Sequence, residues 1–88
     1  MAEVTETVVI AVRHHQAGRL QQAQQLYQQV LKSEPDNPVV LHSLGLIACQ
    51  RGQKQQAVDL IARAIEVNPR IPQFYNTFGI ALEALGRY

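Results

Sequence analysis

The sequence has no tryptophan, a single cysteine and an aromatic content of only 6% over its 88 residues. One cysteine, Cys49, excludes an internal disulfide and fits a reducing compartment. Charge is also scarce: 17% of residues are charged and the net charge is +1. Nucleic-acid binders usually cluster Lys and Arg on one face, whereas here the basic residues are scattered from Arg13 to Arg87. Long apolar runs are missing too. The stretch Val8–Val12 follows Glu3 and Glu6, so it lacks the basic start and the length of a secretory signal. Nothing approaches the roughly 18 apolar residues of a membrane span. These absences describe a soluble, cytoplasmic protein with neither nucleic acid nor membrane as its partner. At this length it is one small domain, residues 1–88.

Chemistry-bearing residues are equally few. His14, His15, His42 and Cys49 are the only soft metal ligands. His42 and Cys49 are seven positions apart, about 10.5 Å along a helix, which is too far to share one zinc. His14 and His15 are adjacent and diverge by about 100°. No nucleophile stands near a base, and no G-x-x-x-x-G-K-[ST] loop is present to cradle a phosphate. Cys49 lies within "LGLIACQ", whose apolar character suits an inert thiol. The expectation is no catalysis, no cofactor and no metal.

Against these absences stands an abundance of glutamine. The segment "QQAQQLYQQ", residues 21–29, has glutamine at six of nine positions. Polar tracts stay disordered when too little apolar surface offsets the entropy of ordering. Here Leu20, Ala23, Leu26, Tyr27, Val30 and Leu31 recur at intervals of three and four, which aligns them on one helical face. The tract is therefore an amphipathic helix, and the glutamines are its exterior.

A period of 34 organises the chain. It relates Gly18, Gly52 and Gly86, and also Ala23 to Ala57, Pro35 to Pro69, Pro38 to Pro72 and Gly45 to Gly79. A glycine just beyond an apolar-periodic segment is a helix stop. Proline at 38 and 72 suits a first helical turn, and Asn37 is a good N-cap. The pattern predicts five helices, near 4–17, 20–33, 38–51, 54–67 and 72–85. Short turns make neighbours antiparallel, so each unit is a helix hairpin.

These residues resemble the tetratricopeptide repeat, a helix–turn–helix of 34 residues with the pattern W-x2-L-G-x2-Y, A-x3-F, P. The second unit, 38–71, matches best through Leu41, Leu44, Gly45, Ala48, Ala57, Ile61 and Pro69. The partial third, 72–88, offers Tyr75, Phe78, Gly79, Leu82 and Gly86. The first, 4–37, diverges most: Thr7, Ile10, Ala11, His14, then Ala23, Tyr27 and Pro35. The resemblance implies an all-α, right-handed α-solenoid of about two and a half units. Gly45, Gly79 and Ala11 are expected to admit a close helix partner. Ala23 and Ala57 do so from the other side, with Tyr27 and Ile61 filling the space beside them.

The same resemblance implies a function. The first helix of each unit lines a concave groove that binds a peptide or partner segment. Carried over, that groove comprises Thr5, Val8, Val12, His15 and Gln16, then Val39, His42, Leu46, Cys49 and Gln50, then Gln73, Asn76, Ile80 and Glu83. Val12, Leu46 and Ile80 are expected to form its apolar stripe, although such aliphatics also commonly pack against neighbouring helices. Val8 and Val12 stand where relatives that clamp acidic chaperone tails need Lys and Asn, which argues against that use. The strict period and near-neutral charge argue against the RNA-binding pentatricopeptide relatives. The chain is also similar to the N-terminal repeats of bacterial glycosyltransferases related to the O-linked N-acetylglucosaminyltransferase. That likeness implies an acceptor-recognition arm of a larger enzyme, and comparable repeats precede sulfotransferase and methyltransferase domains. The third unit breaks off at "ALGRY". The expectation there is a longer parent protein, and a face on helix 72–85 that Arg87 and Tyr88 are too short to shield and that pairs with a second copy.

Overall fold

The breaks between helices fall where glycine and proline stand. The structure is a computed structural model that describes residues 2–86. It contains α1 (Ala2–Gln16), α2 (Leu20–Ser33), α3 (Pro38–Gln50), α4 (Lys54–Val67) and α5 (Pro72–Leu85), with no strand among the described residues. The sequence-predicted bounds are met to within two residues. Arg87 and Tyr88, expected to leave α5 unshielded, lie outside the described residues.

The hairpin turns are closed by glycine. Gly18 and Gly52 have φ of +81° and +77°, the left-handed region where a side chain would be strained. This geometry brings the Arg19 amide to the His14 carbonyl at 2.9 Å and the Gly18 amide to that of His15 at 3.1 Å. Gln53 and Gly52 repeat the pair on Ala48 and Cys49 at 2.8 and 3.1 Å. Both helices thus end with their last carbonyls satisfied in the Schellman arrangement. At the opposite end of a helix, Asn37 Oδ1 accepts the Val40 amide at 3.2 Å and Pro38 begins α3. At the equivalent place before α5 stands Ile71, which has no side chain able to cap, and Pro72 opens the helix without that help.

Two compact units result, residues 1–35 and 36–88. In the first, α1 pairs with α2, and Ala11, Ala23, Tyr27 and Val30 are buried. Gln21, Gln22, Gln25, Gln28 and Gln29 all face outward, as the periodicity of the tract requires. Ile10 departs from its repeat position. It is 46% exposed where its counterpart Leu44 is buried.

In the second unit α3, α4 and α5 share a core of Ala48, Ala57, Val58, Ile61 and Ala81. Cys49, Leu60, Ile65, Phe78, Leu82 and Leu85 pack around it. The small residues decide how closely the helices approach. A Cβ on Gly45 would sit 2.5 Å from Cγ1 of Ile61, so only hydrogen fits there. Gly79, at the same repeat position, has no such neighbour among the described residues. A Cβ on Gly79 would meet nothing within 4 Å, because no described helix lies on that side of α5.

Candidate functional site

The residues assigned to the groove fall on α1 in the first unit and on α3 and α5 in the second. On α1, Thr5, Val12 and Gln16 are exposed, while Val8 and His15 are half-buried. On α3, Val39 is 51% exposed and Gln50 is also open to solvent; Leu46 and Cys49 are half-buried. On α5, Gln73, Asn76 and Glu83 are exposed and Ile80 is 61% exposed. Aliphatic side chains this open on a small helical unit are available for contact.

His42 is not a freely projecting groove residue. Its ring tilts against Phe74, with centroids 4.7 Å apart, and its Nε2 lies 2.8 Å from Thr77 Oγ1. The Thr77 hydroxyl in turn donates to the Gln73 carbonyl oxygen at 3.0 Å. Burial between α3 and α5 lowers the pKa of the imidazole, since desolvation penalises its charged form. Burial likewise pushes the Cys49 thiol up and disfavours the reactive thiolate.

Neither Phe74 nor Thr77 belongs to the groove set read from sequence. The signal was present in the pattern of α5. Thr77 lies between Phe74 and Ala81 at the i−3 and i+4 positions, on the stripe that must be buried. A buried hydroxyl needs a partner, and a histidine one repeat earlier could supply it.

His14 Nδ1 accepts from Arg19 Nε at 2.9 Å. No group of three or more metal-ligating side chains occurs among the described residues. No helix of the described residues is long and apolar enough to cross a membrane. A cleft of about 90 Å³ between α1 and α2, lined by Val4, Thr7, Gln29, Val30 and Ser33, is well below the roughly 300 Å³ that small-molecule sites begin at.

Hairpins closed by glycine, a 34-residue period and the Gly45–Ile61 contact describe one architecture, and comparison with known proteins agrees. Residues 14–76 match the family model described as tetratricopeptide repeat. The chain belongs to the tetratricopeptide-repeat family. It is 33% identical over 70 residues to human tetratricopeptide repeat protein 7A, covering 80% of this chain and 8% of that protein. It is 32% identical over 66 residues to the photosystem I assembly protein Ycf3 of Cuscuta gronovii, covering 72% of this chain and 39% of that one. The Ycf3 of Synechococcus elongatus is 29% identical over 73 residues, with 80% and 42% covered. The chain therefore spans less than half the length of each of these relatives. Such a tetratricopeptide unit is a protein-interaction repeat.

Proposed function

We propose that this tetratricopeptide chain is a scaffold module that holds an extended peptide or partner segment on the first helices of its units. The observation that carries the reading is the exposure of Val39 and Ile80 on α3 and α5, beside the half-buried Leu46 and Cys49. Thr5, Val8, Val12, His15 and Gln16 form the corresponding stretch of α1. An assembly role like that of the Ycf3 relatives, photosystem I assembly proteins by name, is in keeping with such a module. The test is a titration of the isotope-labelled protein with capped, uncharged peptides, followed by amide shifts. Shifts are expected around Val39, Leu46, Gln73, Asn76 and Ile80, and they should depend little on salt because the α3 and α5 faces carry few charges. Perturbation confined to the glutamine face, residues 21–29, sinks the proposal.

A second reading concerns a copy of the chain. Tyr75 is 47% exposed and the space beside Gly79 is open, so this side of α5 has room for another helix. The reading as acceptor-recognition arm of a glycosyltransferase, or of a sulfotransferase or methyltransferase, rests on sequence likeness alone. The sequence downstream of Tyr88 in the parent gene decides it.

A further inference from the structure

The link between His42 and α5 has a consequence for what the α3–α5 face can recognise. Thr77 has one hydroxyl proton and two neighbours, His42 Nε2 at 2.8 Å and the Gln73 carbonyl oxygen at 3.0 Å. A carbonyl oxygen can only accept. If the hydroxyl gave its proton to the imidazole, Oγ1 and the Gln73 oxygen would face each other as two acceptors. Both contacts are attractive only when Thr77 donates to Gln73 and Nε2–H donates to Thr77. Threonine within a helix commonly donates to the carbonyl four residues back, which supports this direction. The neutral ring is thereby fixed in the Nε2–H tautomer, and Nδ1 carries a lone pair.

That lone pair has no hydrogen-bond partner among the described residues. No polar side-chain atom of a described, non-exposed residue is both fully buried and unpaired, so Nδ1 reaches solvent. The helices around it carry little charge. Val39 and Leu46 flank His42 at i−3 and i+4, while Gln73 and Ile80 flank Thr77 at i−4 and i+3. No Asp, Glu, Lys or Arg occurs in α3, and Glu83 is the only one in α5.

We infer that His42 is the specificity-determining residue of this face, with Nδ1 held as an acceptor for a backbone N–H of an uncharged, extended peptide whose aliphatic side chains rest on Val39, Leu46 and Ile80. The inference rests on the proposed function and deepens it. An acceptor held in fixed orientation discriminates, because a ligand that covers it and offers no donor leaves it desolvated and unpaired. The absence of charge selects against acidic and basic segments, which would lose hydration and gain no partner. Gln73 supports the site through its main chain, since its carbonyl oxygen orients the Thr77 hydroxyl that orients the ring.

Two measurements test this. First, the imidazole nitrogen shifts of the free protein at neutral pH are expected to show Nε2 protonated and Nδ1 unprotonated, with the preference lost in Thr77→Val. A protonated Nδ1 in the wild type overturns the inference without any ligand. Second, the tightest binder is taken from a pool of capped, uncharged eight-residue peptides, and each backbone N–H is replaced in turn by N-methyl. One position should lose about tenfold in affinity, the scale of one hydrogen bond. In His42→Phe, which keeps a ring to lie against Phe74, the same N-methyl change should cost less than about twofold. Identical scans in wild type and variant overturn the role of His42 while the scaffold reading survives. Failure of every peptide to bind overturns both.

Discussion

Gly45 and Gly79 occupy one repeat position, yet they meet opposite surroundings. At Gly45 an added Cβ would stand 2.5 Å from Cγ1 and 3.0 Å from Cδ1 of Ile61. Ile61 is fully buried and β-branched, so its side chain cannot easily swing aside. Alanine there should cost about 1–3 kcal/mol of overpacking, which exceeds what the better helix former returns. At Gly79 the space is open and the backbone is helical, so alanine should stabilise by about 0.5–1 kcal/mol. Urea melts of the two variants should shift in opposite directions, and shifts of the same sign would contradict the packing described. The sequence shows identical letters at both positions and cannot separate them. A glycine admits a close helix only if a helix with small and branched residues arrives opposite, as α4 does with Ala57 and Ile61.

At the scale of the element, the helices were legible almost to the residue, because their ends are written in local chemistry. Gly18 and Gly52 need no knowledge of the fold to mark a helix stop, and neither does Asn37 before Pro38 to mark a start. The exterior face of α2 was equally plain, since six glutamines leave one apolar stripe. Contacts between helices were harder to see. His42 was placed on the groove because its position said so, while its bond to Thr77 depends on how α3 meets α5. That joint predicts a pH dependence. Burial lowers the folded-state pKa of His42 below its ordinary 6.5. The unfolded chain therefore binds the proton first as pH falls, and the neutral ring's contribution, complete above 6.5, is lost as pH drops through the folded value. No Asp, Glu, Lys or Arg occurs on α3, and Glu83 is the only one on α5, so these two helices offer little charge to reverse the sign. Denaturation midpoints of the wild type should decline below pH 6.5 more steeply than those of His42→Phe. Parallel declines would assign the dependence to other groups.

For the molecule as a whole, the pairing proposed for α5 makes a prediction about association. Repeats bury apolar surface against their neighbours, and a face without a neighbour is left adhesive. Within the second unit α4 covers Gly45, whereas nothing described covers Gly79. Phe78, Leu82 and Leu85 are half-buried against the core cluster, so the more exposed aromatic at this face is Tyr75, whose hydroxyl donates to the Pro69 carbonyl at 2.7 Å. That bond steadies the ring and lowers the entropy lost when a partner packs on it. In the proposed two-fold contact the same patch of each copy would meet, so Gly79 of one chain would approach Gly79 of the other. Sedimentation of the wild type should show mass rising with concentration toward a dimer. Gly79→Lys leaves the fold intact, because its side chain enters open space, but it opposes two like charges at the two-fold axis. Its association should weaken at least about tenfold, or ~1.4 kcal/mol. A wild type that stays monomeric at millimolar concentration, or a lysine variant that associates equally well, would show that α5 does not use this face to pair.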